Sequence, residues 1–139
     1  MRTRVALCVG WLLLATIIAQ GQDISSWPCS EELTKSEGDN HRIRVSTGVS
    51  ERMIDKRVLP DTRDLKGSRV DSTVIVRVLI DKKGVVRCAD AVHGDASLVQ
   101  RSIDAAQRWK FRPYTLNGEP IIVETPIEFV FKKDSVKAR

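Results

Sequence analysis

Residues 72–93 read STVIVRVLI DKKG VVRCADAVH, and this stretch decides the fold. β-Branched residues dominate from Ser72 to Ile80. The two-residue period of a strand puts Val74, Val76, Val78 and Ile80 on one face and Thr73, Ile75, Arg77 and Leu79 on the other. Asp81-Lys82-Lys83-Gly84 is a four-residue turn with glycine placed for positive φ. Val85 to His93 is then the returning strand of a hairpin, stopped by Gly94-Asp95.

Downstream, Asp95 or Ser97 caps a helix. From Ala96 to about Lys110, Leu98, Ser102, Ala105 and Trp109 recur on one helical face. Arg112-Pro113 breaks that helix, and Asn117-Gly118 makes a turn. Ile121 to Phe131 is a final strand with Ile121, Val123, Thr125, Ile127, Phe129 and Phe131 facing inward, and residues 133–139 form a solvated tail. Upstream, Arg42-Ile43-Arg44-Val45 alternates polar and apolar as a short edge strand. Residues 48–60 read as an extended segment laid over the core, and 61–67 as one helical turn. A strand reached through a helix cannot close as a tight hairpin, so the third long strand is laid beside the first. The expectation is an α+β domain over 41–132: a three-stranded antiparallel sheet of order 2-1-3, one main helix on one face, and both outer strands with open edges.

The chain of 139 residues is long enough for one such domain and not for two. At 42% hydrophobic it is not disordered throughout, and its seven aromatic residues leave a mostly aliphatic core. Arg2 and Arg4 precede fifteen uncharged, mostly apolar residues, VALCVGWLLLATIIA, from Val5 to Ala19. That run suits the apolar region of a signal peptide and falls short of the roughly 20 residues that span a bilayer. Ala19-Gln20-Gly21 supplies small residues for cleavage after Gly21, or secondarily after Ala19. An uncleaved inner-membrane anchor facing the periplasm is the alternative. Without both leader arginines the charge drops from +5 to +3, which does not point to nucleic acid. Residues 22–40 are a polar, flexible lead-in.

Cleavage would leave two of the three cysteines, Cys29 and Cys88. In an oxidising compartment they form a disulfide if the fold brings them together, and otherwise stay separate thiols. A metal site at Cys88 and His93 is disfavoured, because their spacing on a strand sends them to opposite faces. There is no phosphate-binding glycine loop, zinc-protease helix or Cys-x-x-Cys pair. His41 and His93 stand in unrelated contexts. Arg101, Arg108, Lys110 and Arg112 read as a solvated face with anion binding as the sharper option. No catalysis, cofactor, metal or small-molecule substrate is expected.

The stretches VIVRVLIDKKGVVRCADAVHGD and SLVQRSIDAAQRWKFRPYTLNGEPIIVETPIEFVF closely resemble the C-terminal domain of TonB-family proteins. The resemblance rests on the I-D-x-x-G hairpin (Ile80, Asp81, Gly84), on A-x-x-W-x-F-x-P (Ala106, Trp109, Phe111, Pro113) and on N-G-x-P (Asn117, Gly118, Pro120). These residues read as structural. Several family features are missing, among them a glycine before the first long strand, where Val70-Asp71-Ser72 stands, and a long proline-rich spacer, since the lead-in contains only Pro28. Leu59-Pro60-Asp61-Thr62-Arg63 lacks the tyrosine and second proline of a P-x-Y-P opening, and no histidine lies in the apolar leader. The lead-in spans at most about 65 Å at roughly 3.4 Å per residue. The resemblance implies a periplasmic module that engages outer-membrane receptors in support of transmembrane transport. The alternative is an interaction or dimerisation domain without that role.

The candidate contact surface is the outer edge of the last strand, where an extended receptor peptide would pair. Pro126 has no N–H, so it divides that edge into Ile121-Ile122-Val123-Glu124 and Glu128-Phe129-Val130. Outward-facing Ile122, Glu124 and Glu128 would set preference, the carboxylates favouring a basic peptide. A second copy of the protein, or Arg42–Val45 of the same chain, is the competing occupant.

Overall fold

The computed structural model describes residues 42–65, 71–133 and 135–139. The leader, the lead-in and Cys29 lie outside them. The elements are β1 (Arg42–Arg44), α1 (Thr47–Glu51), β2 (Ile54–Lys56), a 3-10 turn (Arg63–Leu65), β3 (Ser72–Ile80), β4 (Val86–His93), α2 (Ala96–Ala106), β5 (Lys110–Phe111), β6 (Thr115–Leu116), β7 (Glu119–Pro120), β8 (Ile122–Lys132) and β9 (Ser135–Ala138). None of the described helices is long and apolar enough to cross a membrane.

The main sheet runs β1-β8-β3-β4, with β9 also on β8. The expected three-stranded antiparallel sheet is therefore a mixed five-stranded one. β3 pairs antiparallel with β4 and along its whole length with β8, but β1 joins β8 in parallel. The stretch expected to be a solvated tail supplies the fifth strand, β9, antiparallel to β8. Its alternation explains why: Val136 and Ala138 turn toward the core while Ser135 and Lys137 stay in water.

Turn chemistry sets the β3–β4 hairpin. Asp81 is buried, and one of its carboxylate oxygens accepts from the N–H groups of Lys83 and Val85, each at 2.9 Å. Gly84 has φ +82°, and a Cβ there would lie 1.9 Å from the Phe111 carbonyl oxygen. The Phe111 N–H in turn donates to Gly84 O at 2.8 Å. Only glycine meets both demands.

Asp95 caps α2, its carboxylate accepting from Ser97 N–H at 2.8 Å, and its bonds from Ser97 hold it below its usual pKa. The helix stops at Ala106, short of Lys110. Arg108 and Trp109 donate to Ala105 and Ala106, tightening the exit into i→i+3 turns that swing Trp109 into the core. Lys110 and Phe111 are then drawn off as β5 against β2. The segment expected to be merely extended thus holds a short helix and β2.

Leu98, Ser102, Ala105 and Ala106 of α2 pack on the β3 face carrying Val74, Val76, Val78 and Ile80. Trp109 closes this layer edge-on against Phe129 at 5.9 Å, with its indole N–H donating to Val58 O at 2.6 Å. Phe111 and Tyr114 extend the cluster, and the Asn117-Gly118 turn carries φ values of 52° and 85° between β6 and β7. On the opposite sheet face, Leu79, Cys88 and Ile122 form a second, smaller cluster.

Candidate strand-pairing edge

Alternation along β8 determines which groups face its outer edge. Odd-numbered Val123, Thr125, Ile127, Phe129 and Phe131 are buried. The even-numbered residues turn their main-chain groups away from β3. Glu124 O accepts from Val45 N–H at 2.9 Å, and Glu128 exchanges two bonds with Arg139, at 2.7 and 3.0 Å. Pro126 sits between them with no N–H to offer. The ring divides the edge, and one short strand lies on each side.

The edge expected to be open is therefore occupied on both sides of Pro126. β1 pairs Arg42, Ile43 and Arg44 with Ile122, Val123 and Glu124. β9 pairs Ala138, Lys137, Val136 and Ser135 with Phe129, Val130, Phe131 and Lys132. Ile121 precedes β8 and donates its N–H to Tyr114 O at 3.0 Å. Ile122 and Glu124 are buried instead of facing water, because β1 flanks them and Ile122 joins Leu79 and Cys88.

Charge reinforces this pairing. Glu124 is 4% exposed, and its carboxylate meets Arg44 at 2.9 Å and Arg42 at 3.4 Å. Alternate residues of β1 thus bracket one buried anion. Glu128 meets the Arg139 guanidinium at 2.7 Å, which holds its carboxyl below the usual range. Both carboxylates expected to select a basic peptide hold arginines of this chain. The R-I-R-V alternation and the S-V-K-A near the end carry this pattern in the sequence, but runs so short read equally well as a loose edge strand and a tail.

The motif residues take structural places. Asp81 and Gly84 build the hairpin, Trp109 and Phe111 fill the core, and Asn117, Gly118 and Pro120 shape β6–β7, with Pro113 exposed just ahead of it. Cys88 is disulfide-bonded; its expected partner, Cys29, lies outside the described residues. Among those residues, no three His, Cys, Asp or Glu side chains converge as a metal site.

The cluster of Asp61, Arg63, Asp64 and Arg101 lines a shallow surface dent. Its charges are satisfied internally: Arg101 reaches Asp64 at 2.8 Å and Asp61 O at 2.7 Å, and hydrogen bonds from Arg63 bring Asp61 down to a pKa of about 2. Arg101 is thereby removed from the expected basic face, and the cluster is a clasp tying the 3-10 turn to α2.

The profile of a protein family described as Gram-negative bacterial TonB protein C-terminal matches residues 63–132, half of the chain. No curated protein and no solved structure matches it.

Proposed function

The chain belongs to the family of Gram-negative bacterial TonB protein C-terminal domains, and on that premise we propose that it engages outer-membrane receptors by strand addition. A receptor peptide pairs along the outer edge of β8, in support of transmembrane transport. The module works by binding, without catalysis or cofactor. It acts in the periplasm after export through residues 1–21, with an inner-membrane anchor facing the periplasm as the alternative placement.

One observation carries this reading: β1 already lies on β8 as a short parallel strand, in register over Arg42–Arg44. An edge that accepts three residues of its own chain has the geometry to accept a longer peptide. β1 is the segment to be displaced, since it is brief and its Arg44 side chain is 70% exposed. Pro126 confines the added strand to Ile121–Glu124, unless β9 also yields Glu128–Val130. An entering peptide meets the buried carboxylate of Glu124, so one with a basic residue in that register replaces the lost charge partner, whereas a purely apolar one strands the anion.

The test is calorimetric titration of receptor N-terminal peptides into the full chain and into a Val45→Pro variant. That variant loses the N–H that fastens β1 to Glu124 O. Binding should occur in both and be tighter in the variant, whose competing strand is loosened. Absence of binding to either at millimolar peptide would remove the reading. The same occupied edge favours a second one, an interaction or dimerisation domain without a transport role. Both halves of the β8 edge are filled within one chain, and β4 has a neighbour on one side only among the described strands. A stable dimer that persists with β1 in place would favour it.

A further inference from the structure

Some cations of this domain have carboxylate partners, and others have none among the described residues, including Lys132, Lys133 and Lys137 at the β8–β9 end and a larger set around β2 and β5. The arginines of β1, the 3-10 turn, β3, β4, α2 and the C-terminal end each lie within 4 Å of a carboxylate. Arg52, Lys56, Arg57, Lys83, Lys110 and Arg112 have no such partner among the described residues, although all six are exposed.

Secondary structure gathers these six. Lys56 and Lys110 stand directly opposite each other in the β2–β5 pair. Lys110 bridges on its other side to Val85, two residues beyond Lys83. The Arg112 N–H donates to Met53 O at 2.7 Å, and its guanidinium reaches Arg52 O. Arg57 lies 5.4 Å from the Trp109 ring centre. Like charges facing each other across an antiparallel pair cost stability. Nearby acids do not relieve them. The Asp81 carboxylate is buried in its turn, where it accepts from main-chain N–H groups, and none of the six cations lies within 4 Å of a described carboxylate, Asp55 included.

Such a patch is matched to an external polyanion. These residues are distributed over β2, β5 and the β3–β4 turn, a spread that suits an array of phosphates better than a single anion. Leu59, 46% exposed, stands two residues from Arg57 and adds an apolar contact at the rim. We propose that this face docks on an anionic phospholipid surface. The patch uses none of the β8 edge, so a docked domain keeps that edge available.

The experiment uses the full chain with sedimented vesicles of phosphatidylcholine alone or with one third phosphatidylglycerol. Partition should favour the anionic vesicles strongly and weaken with salt. Lys56→Gln, Lys83→Gln and Lys110→Gln together should lower it about 100-fold, about fivefold for each cation near the surface. Lys132→Gln, Lys133→Gln and Lys137→Gln make the same change of charge at the β8–β9 end and should lower it less than about threefold. Circular dichroism checks that both variants fold. Equal partition into both vesicles, or equal loss in both triple variants, would overturn the proposal. So would a glutamate decapeptide that binds more tightly than the vesicles, which would assign the face to an acidic protein.

Discussion

Replacing Arg42 and Arg44 together by glutamine removes both cations from Glu124 while leaving the length and most of the polarity of β1 unchanged. If β1 stayed in place, a carboxylate 4% exposed would have no counter-charge, and breaking a buried pair in this way costs about 3–5 kcal/mol. Arg44 is 70% exposed, so water screens part of that, and about 2–3 kcal/mol is the better figure. The chain has a less costly exit. Releasing β1 lets water reach Glu124 and sacrifices a few main-chain bonds, including Val45 N–H to Glu124 O, at roughly 1 kcal/mol each. Detachment of β1 thus limits the loss to about 2 kcal/mol, or about 10 °C in Tm for a domain of this size. Amide hydrogen exchange reads the event directly: Val45 should lose about 30-fold in protection, the equivalent of about 2 kcal/mol, while the central amides of β3 fall only with global stability. Adding Glu124→Gln should restore both, since it neutralises the stranded charge. Unchanged protection at Val45, or a triple variant worse than the double, would refute the charge-clamped strand.

Three further outcomes follow from the core. Gly84→Ala should destabilise the domain by at least about 2 kcal/mol in urea denaturation, because φ is positive and the new methyl meets Phe111 O; a neutral result would contradict the close approach. Trp109→Phe should cost about 2–3 kcal/mol through the lost bond to Val58 O and the lost ring area, read from the same denaturation curves. Tyr114 is the only tyrosine, and burial pushes its pKa up to about 12, so phenolate absorbance should appear near pH 12 in the folded protein and near 10 in urea. The fold favours the protonated phenol, so stability should decline as pH rises from about 10 toward 12. A midpoint near 10 with intact circular dichroism would place Tyr114 in water.

The sequence is most legible where its period is strong. The alternation of residues 72–80, the glycine turn and the Leu98–Ser102–Ala105 face lead to β3, β4 and α2 with little room for other readings. β8 is equally plain, since Val123, Thr125, Ile127 and Phe129 follow one strand face. Short elements are harder. β1 and β9 hold three and four residues, too few to show a period above background, and each exists because β8 offers it an edge. That is tertiary context overriding local propensity. The β2–β5 pair is hidden for the same reason, and its opposed lysines argue against pairing when read locally. At the site, Pro126 stands between the stretches of β8 that β1 and β9 occupy, and Glu124 and Glu128 carry the charges there. Illegible in the sequence is that the chain's own arginines answer both carboxylates, because Arg42 and Glu124 meet only after the whole sheet has formed.

Strand addition is tested most directly by amide-resolved NMR of the full chain titrated with a receptor N-terminal peptide. Shifts should appear first at residues 121–124, with simultaneous loss of the β1 pairing signature at 42–45 as the peptide takes its place. Shifts confined to α2, or peptide binding with β1 still protected on β8, would contradict it.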